Sequence, residues 1–393
     1  MAKKRKRKLK RSFIWLFSLV GVLMIAGGVY YAYSQVEAKS FDPKNTVPVE
    51  EEKPKKTETT ASLFMIGDAL IHNSLYIDAK QSDGTYDFKP MLENIKPIAQ
   101  KYDLAYYNQE TILGGVELGL SSYPQFNSPY DVGDAYIDAG FNLVSLATNH
   151  TMDRGVKAVQ NSLAYWAKQK DVYTAGSYSS FEERDTAVIK EINGIKYSFL
   201  SYTVWTNGLT PPKGQEYYDN VYSDELAKAD IERVREEADV VIVAMHWGTE
   251  YSLGVSSQQE RIANYLSSLG VDIIIGAHPH VVEPIEFIGK TLVIYSLGNN
   301  ISDQEGVESL TGLMAAVTIK KVVEDGVTTI SLEDVKADLI YTYSKSYGKR
   351  GFKVYPYQSL NDTLLPNYMK YYNKYKNVVL SRDDNNLITW GIS

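Results

Sequence analysis

The sequence predicts an α/β protein with a mixed sheet, together with hairpins that indicate a second sheet. From Ala61 onward, short apolar runs of the buried-strand type alternate with helical stretches, which is the pattern of an α/β fold. An Asn-Gly pair at 193–194 lies between two strand-like segments and is a strong hairpin signal. A Glu-Asp-Gly turn at 324–326 joins a further antiparallel pair. At 393 residues the chain is long enough for one large domain or two modest ones.

Strands and helices are assigned from apolar runs, periodicity and turn residues. The predicted strands are residues 62–66, 103–107, 141–147, 172–175, 187–192, 196–202, 240–245, 271–275, 292–295, 313–319 and 328–332. The predicted helices are residues 91–101, 135–139, 156–168, 223–237 and 258–269. Pro97 is expected to kink or split the first helix, and a Ser-Asp cap begins the fourth.

Charge is distributed unevenly along the chain. The net charge is −7, yet residues 3–11 contain eight Lys or Arg and no acid. Because that segment contributes +8, the remainder carries −15, which argues against nucleic acid as a partner. The absence of cysteine excludes disulfides, thiolate metal sites and cysteine nucleophiles.

An uncharged apolar run over residues 13–33 predicts a transmembrane anchor. At 1.5 Å per residue this run reaches roughly 30 Å, the hydrocarbon thickness of a bilayer. The basic segment 1–12 precedes it and the next cation is Lys39, so we predict a single-pass protein of the cell membrane with a cytoplasmic N-terminus and an extracytoplasmic body. A cleaved signal peptide is the alternative, although its apolar region is usually shorter. The polar residues 34–60, with three prolines, are predicted to be a flexible linker.

The body is predicted to be one domain over residues 61–340. A Tyr-rich C-terminal extension over residues 341–393 is expected to pack on that domain. A polymer-facing aromatic strip is the alternative for the extension, but tyrosine is frequent throughout the chain, which has 31.

All five histidines follow directly on apolar runs and lie beside Asp, Asn or Gly. They are His72, His150, His246, His278 and His280. Side chains at the carboxyl ends of strands in one sheet lie close together, so this pattern predicts a shared metal or acid–base site.

The segment His278-Pro279-His280 is the strongest metal-site signal. Proline fixes its own φ and biases the preceding residue toward the extended region, so the two imidazoles are predicted to point the same way, as chelation requires. The nearby Gly276 is expected to leave room for an ion.

Two other histidines have polar neighbours of a functional type. Asn149 and His150, with Asp153 one turn further, have the layout of an oriented acid–base histidine, although Asp153 as a helix cap is the alternative. His246 ends a strand with Gly248 and Glu250 close by, and the alternative for it is a buried core histidine.

Further candidates lie at other strand ends. Asp68 follows a strand and is a candidate ligand or a turn former, and His72 is a candidate ligand or an exposed loop histidine. Asn108 and Glu110 are two residues apart, so in an extended chain both would face the same side, and a capping role is the alternative. Asn299 ends a Ser-Leu-Gly-Asn turn and is expected to shape the rim of the site, with an ordinary glycine turn as the alternative.

These segments together supply carboxylate oxygens, an Asn carbonyl and at least three imidazoles. Nitrogen and oxygen ligands without thiolate suit Mn, Fe or Zn and, less well, Mg. The set is large enough for one or two divalent metals, which lie about 3.5–4 Å apart in two-metal sites.

Six motifs resemble, in order, those of the CapA/PgsA family of membrane-anchored capsule or poly-γ-glutamate synthesis proteins of bacteria. They are Gly67-Asp68, Asn108-x-Glu110, Asn149-His150-x-x-Asp153-x-Gly155, His246-Trp247-Gly248-x-Glu250, Gly276-x-His278-Pro279-His280 and Tyr295-Ser296-Leu297-Gly298-Asn299. The resemblance covers roughly residues 62–303. That family looks like a branch of the calcineurin-like metallophosphoesterases, which implies a four-layer αββα sandwich.

The resemblance also implies roles for individual residues. The metal site would consist of Asp68, Glu110 (or Asn108), Asn149, His246, His278 and His280, and His150 with Asp153 would be the acid–base pair beside it. Two departures are visible. Position 70 is Leu where metallophosphoesterases have the His of Asp-x-His, and residues 108–110 lack the usual Asp. One metal therefore loses a usual ligand unless His72 substitutes.

The resemblance implies synthesis or export of an anionic surface polymer such as poly-γ-glutamate, at the cytoplasmic membrane and beside other membrane subunits of a capsule synthesis complex. A metal-dependent hydrolase or transferase site would activate water there, with His150 as the proton donor. The alternatives are a non-catalytic polymer-binding or assembly subunit and a secreted metal-dependent phosphodiesterase.

Overall fold

The structure is a computed structural model that describes residues 24, 26–34, 56–345 and 350–392. Most of the predicted anchor and the whole basic segment lie outside these ranges, and residues 24 and 26–34 are helical. Within the described ranges, no helix combines the length and the apolar character that a membrane span requires. Residues Lys56–Ser393 form a compact unit, and residues Met1–Lys55 form a separate one.

The compact unit contains fifteen strands, nine α-helices and three 3₁₀ turns among its described residues. The strands are β1 (Lys56–Ala69), β2 (Leu104–Asn108), β3 (Leu143–Ser145), β4 (Tyr173–Ala175), β5 (Lys190–Ile192), β6 (Ile195–Thr203), β7 (Val240–His246), β8 (Ile273–Ala277), β9 (Ile285–Ile288), β10 (Thr291–Ile294), β11 (Asn299–Ile301), β12 (Thr311–Glu324), β13 (Val327–Tyr343), β14 (Lys353–Pro356) and β15 (Thr389–Trp390). The helices are α1 (Asn73–Ala79), α2 (Lys89–Leu92), α3 (Lys96–Ala99), α4 (Asp131–Asp138), α5 (Gly155–Trp166), α6 (Phe181–Arg184), α7 (Asp224–Arg235), α8 (Ser257–Ser268) and α9 (Tyr368–Val379). The 3₁₀ turns are Val116–Leu118, Glu216–Tyr218 and Tyr357–Ser359.

These strands form two mixed sheets. The first has nine strands in the order β14-β13-β12-β1-β2-β3-β4, with β11 on β1 and β15 on β13. The second has six strands in the order β5-β6-β7-β8-β10-β9. Strands β1 to β4 are parallel neighbours in the first sheet, and β6, β7, β8 and β10 are parallel in the second. The predicted α/β class with a second sheet is confirmed.

The two sheets pack face to face between layers of helices. One apolar cluster contains buried side chains of both sheets, such as Leu63 and Ile275. A second cluster joins the other face of the first sheet to helices α1 to α5, and a third joins the outer face of the second sheet to α7 and α8. The order of layers is therefore helix, sheet, sheet, helix.

Three local predictions from the sequence are confirmed: a turn, a break in a helix and a helix cap. Asn193 and Gly194 both have positive φ, as a two-residue hairpin turn requires. The segment around Pro97 is split into the short helices α2 and α3. Ser223 caps α7 by accepting a hydrogen bond from the Leu226 amide.

The predicted linker ends too late in the chain. Strand β1 begins at Lys56 and not after residue 60, because residues 56–60 pair antiparallel with residues 320–324 of β12. Their side chains are exposed, and the threonines among them favour a strand. The segment from residue 341 onward contributes β14, β15 and the end of β13 to the first sheet.

Candidate metal centre and cleft

The topology brings the predicted polar residues to one place. Asp68 lies near the end of β1 and Asn108 ends β2, whereas His246 ends β7 and His278 follows β8 directly. The Asn108 amide nitrogen lies 3.3 Å from His246 Nδ1, and the His278 amide donates to Asp68 Oδ2 at 3.2 Å. The carboxyl ends of parallel strands in both sheets therefore border a single site.

Glu110, His278 and His280 form the centre of this site. Each offers a ligand atom, and these atoms all lie within 4.8 Å of one another. Glu110 Oε1 lies 3.6 Å from His280 Nε2 and 3.8 Å from His246 Nε2. Donor atoms around one metal with bonds of about 2.1 Å are separated by roughly 3–3.5 Å, so the spacing needs only small adjustment.

Glu110 is buried without any hydrogen-bond partner for either carboxylate oxygen, and His278 Nδ1 is equally unpartnered. Unpaired buried carboxylates are costly, and a divalent cation between these groups would satisfy them. The residues present thus fit a metal ion.

His280 is held by two oxygens on its Nδ1 side. Asn299 Oδ1 lies 3.0 Å away and Asp68 Oδ2 lies 3.5 Å away. Burial lowers the pKa of His280, but the negative charges of Glu110 and Asp68 outweigh it and raise the pKa to about 9. The amide nitrogen of Asn299 donates to the Ser309 carbonyl at 2.7 Å, so Asn299 is fixed and orients the imidazole.

His246 is held between two asparagines. Its Nε2 donates to Asn149 Oδ1 at 2.9 Å, and its Nδ1 accepts from the Asn108 amide. The second hydrogen of that amide faces Asp68 Oδ1 at 2.8 Å. Burial and the neighbouring His278 lower the pKa of His246 well below its usual range, and burial lowers the pKa of His278 to about 4. Both rings are neutral at pH 7, the form that binds metals.

His150 and Asp153 form a pair beside the centre. His150 Nδ1 lies 2.7 Å from Asp153 Oδ2, which also accepts the Phe126 amide at 2.7 Å. The Phe126 ring packs edge-on against the imidazole at 4.7 Å between centroids. Helix α5 begins after Arg154 without a side-chain cap, so Asp153 orients His150 and does not cap the helix.

A cleft of about 550 Å³ opens above these groups. His150, Asn149 and His280 line it, together with His72 and Glu250. His72 lies outside the central group of Glu110, His278 and His280. Its Nδ1 lies 3.1 Å from the Leu70 carbonyl and 3.2 Å from the Asp303 amide. Burial lowers the pKa of His72 to about 4. Glu250 is exposed at the mouth of the cleft.

Two local predictions are wrong. His278 and His280 have φ of +98° and +60°, so neither is extended, and the rings converge through a strained left-handed loop. Gly276 does not make room for an ion. A Cβ there would lie 1.9 Å from the Tyr295 carbonyl oxygen, so the glycine is needed for the close approach of two strands.

Sequence reasoning missed several residues of the cleft. Phe126, Trp205, Tyr251 and Gln304 line it but follow no motif of ligand or acid–base residues. The only signal that could have identified Tyr251 is its position one residue after Glu250.

The fold and the site define a layered α/β protein with a buried histidine–carboxylate centre, able to hold a metal, at the ends of its strands. The chain belongs to the family described as bacterial capsule synthesis protein PGA_cap, whose model matches residues 62–304.

Relatives at the sequence level agree with this family. The chain is 33% identical over 192 residues to the PGA biosynthesis protein CapA of Bacillus subtilis, which covers 47% of this chain and 48% of that protein. It is 32% identical over 172 residues to the capsule biosynthesis protein CapA of Bacillus anthracis, covering 42% of this chain and 41% of the relative. The chain thus spans less than half the length of the curated relatives it matches.

Among solved structures, the 5'-nucleotidase of Candida albicans is similar at a TM-score of 0.39 and 13% identity. The match covers 67% of this chain and 52% of that enzyme. A likeness at this level does not bear on the chemistry of the site.

Proposed function

We propose that this protein is a membrane-anchored, extracytoplasmic member of its family with a metal-dependent hydrolase or transferase site. It acts in the synthesis or export of an anionic capsule polymer such as poly-γ-glutamate, beside other membrane subunits. The observation that carries the catalytic part is Glu110, a buried carboxylate with no partner for either oxygen, facing His246 and His280. The site is of the kind found in metallophosphoesterases.

In this proposal Glu110, His278 and His280 hold the first divalent metal. The remaining metal-site residues are Asp68, Asn149 and His246. Mn, Fe or Zn suits these nitrogen and oxygen donors better than Mg. Such a metal, when bound, acidifies water and polarises the bond to be cleaved. The neutral ring of His278, whose Nδ1 has no hydrogen-bond partner, needs no deprotonation before it binds the metal.

His150 supplies the proton in this proposal. Its Nδ1 is engaged by Asp153, which leaves Nε2 of a cleft-lining imidazole for the leaving group. Asp153 fixes the orientation of the ring. The edge of Phe126 restricts the ring further.

Leu70 favours a second candidate function, that of a non-catalytic polymer-binding or assembly subunit. Leu70 is buried and lines the cleft where an Asp-x-His motif would supply a ligand. His72 lies outside the group of Glu110, His278 and His280, so in this candidate function it does not replace that ligand. A protein with one metal could use it to hold the site together rather than for turnover.

The test begins with the full chain, purified and analysed for bound metal by mass spectrometry. Wild type is expected to contain Mn, Fe or Zn, and His278→Ala to lose it. His72→Ala is the matched control, since His72 lines the same cleft outside the central group, and it should keep the metal. A wild-type protein without metal, together with no effect of His278→Ala, would contradict the proposal.

Turnover separates the candidate functions. The metal-loaded chain is assayed on bis-p-nitrophenyl phosphate and on poly-γ-glutamate, with His150→Ala beside wild type. Loss of either activity in His150→Ala supports the enzyme. A His150→Ala variant that still supports capsule formation in cells lacking the wild-type protein would favour the assembly subunit.

A further inference from the structure

In the part of the chain that the structure describes, the walls of the cleft above the metal centre carry no lysine or arginine, and the charge of His280 lies at its floor beside Glu110 and Asp68. The acids Asp153 and Glu250 line the cleft instead. The neighbouring cation Arg154 is engaged elsewhere, with the Leu118 carbonyl at 3.1 Å and the Ser121 hydroxyl at 2.6 Å. Ion pairing therefore cannot hold an acidic chain along the walls of this cleft.

Large aromatic side chains surround the mouth of the cleft instead. Only four Trp, Tyr or Phe side chains are classed as exposed within residues 56–345 and 350–392, and three of them line this cleft. They are Tyr123, Trp205 and Tyr251, with exposed fractions of 77%, 59% and 56%. The fourth, Phe181, lies outside it. Three ring faces left in water at one opening indicate a ligand that covers them.

Tyr251 is fixed over the metal loop at a conformational cost. Its φ is +65°, which is unfavourable for a bulky residue. The Tyr251 amide donates to the Pro279 carbonyl at 2.8 Å, between the two candidate histidine ligands. Its hydroxyl accepts from the Gln304 amide at 3.2 Å. The ring is thus held above the site although nothing in the described structure covers it.

Neutral amides complete the lining. Gln125, Asn149, Asn207 and Gln304 all line the cleft, and Asn207 also accepts from the Trp205 indole at 3.0 Å. A carboxamide both donates and accepts hydrogen bonds, as a hydroxyl group does. Flat aromatic faces with amides between them match sugar rings, which have apolar C–H faces and hydroxyl edges.

We propose that this cleft binds a neutral glycosyl group, so that the metal centre acts where a sugar joins the polymer or its carrier and not on the acidic backbone. The inference rests on the proposed function for the chemistry and on Tyr123, Trp205 and Tyr251 for the ligand class. The sugar ring stacks on Trp205 and Tyr251, and its hydroxyls bond the amides of Asn207 and Gln304.

The experiment is an array of immobilised neutral oligosaccharides, probed with the labelled full chain in manganese. Panels of γ-linked glutamate decamer and of nucleotides are printed beside them. Neutral glycans are expected to bind, with little change between 50 and 500 mM NaCl. Trp205→Ala and Tyr251→Ala should each weaken binding about tenfold. Phe181→Ala, which removes the exposed aromatic side chain outside the cleft, should leave it unchanged.

The same array separates this inference from the metal proposal. His278→Ala is expected to keep glycan binding while losing metal. A wild-type chain that binds glycans but contains no metal would refute only the catalytic function. Binding confined to γ-glutamate or nucleotides would overturn the glycosyl assignment. Glycan binding that Trp205→Ala and Tyr251→Ala leave intact would overturn it as well, as would a complete lack of binding.

Discussion

Asn149 Oδ1 accepts a hydrogen bond from His246 Nε2 at 2.9 Å, although the two residues are 97 positions apart. Asn149 follows β3 of the first sheet, and His246 ends β7 of the second. Both side chains are buried. The contact therefore joins the two sheets at their carboxyl edges, and neither sheet alone can form the centre.

Removing the amide of Asn299 should weaken metal binding without removing a ligand. Asn299→Ala is expected to lower the affinity for Mn or Zn about 10- to 100-fold, because Asn299 orients the His280 ring. Titration with a competing chelator measures this. Asn300→Ala is the matched control, since Asn300 is buried one residue further and contacts Tyr136 instead. Equal affinities for wild type and Asn299→Ala would contradict the role.

Replacing Glu110 by Gln should abolish the response of the protein's stability to metal. The amide has the shape of the carboxyl group but neither its charge nor its affinity for a divalent cation, so manganese should no longer raise the free energy of unfolding. Urea unfolding of wild type and Glu110→Gln, with and without manganese, measures this effect. A Glu110→Gln variant that manganese stabilises as much as wild type would show that Glu110 is not a ligand.

Asp153→Asn should reduce turnover while metal content stays normal. The carboxylate fixes the orientation of the His150 ring, and general acid catalysis by a positioned side chain contributes about 10²- to 10⁴-fold. A loss of kcat in this range, with unchanged metal by mass spectrometry, is the expected result. A comparable loss of metal would place Asp153 among the ligands instead.

The fold class could be predicted because most central strands are apolar on both faces. Strands β7 and β8 are fully buried along their length, and their sequences have no polar alternation to obscure them. The long hairpin of β12 and β13 was predicted too short, because the prediction ended β12 at residue 319 and β13 at residue 332. A bulge near Asp334, whose φ is +51°, interrupts β13, and the partly exposed residues 320–324 of β12 are stabilised by pairing with β1. That pairing partner is more than 250 residues away in sequence.

The identity of the site residues could be predicted, but not how each is held. Asn, Asp and His at strand ends indicate a shared site because the topology places those ends together. The left-handed backbone of His278 and His280 could not be read from the sequence, since the loop is fixed by contacts with Asp68 and Asn299. The exposed aromatic rings carry no motif, because their common position depends on three separate loops.

Gly276→Ala should destabilise the protein strongly. The added methyl group would overlap the backbone of Tyr295, which cannot move without breaking the contact between β8 and β10. We expect a loss of more than about 3 kcal/mol in the free energy of unfolding, measured by urea denaturation. Gly254→Ala is the control, since a Cβ there meets no atom closer than 4.0 Å. Similar stabilities for the two variants would contradict the close approach.

Glu283 should make the stability of the fold depend on pH. It lies beneath the metal loop and is buried, with Oε2 accepting the Gln259 amide at 2.5 Å and Oε1 unpartnered. Burial raises its pKa from 4.5 to about 8. Between these values the folded protein retains a proton that the unfolded chain has released, so stability falls as the pH rises from about 4.5 to about 8.

Glu283→Gln isolates this effect, because the amide mimics the protonated acid at every pH. The variant and wild type should be about equally stable near pH 4.5, and above pH 8 the variant should be more stable by on the order of a few kcal/mol. Urea unfolding at both ends of the range measures the difference, with the exposed Glu305→Gln as a control that should show no such trend. A constant difference between wild type and Glu283→Gln across this range would mean that the buried carboxyl is ionised throughout. A group other than Gln259 would then have to stabilise the charge of Glu283. Arg382 is the candidate, because its positive charge acts to lower the pKa of this carboxyl.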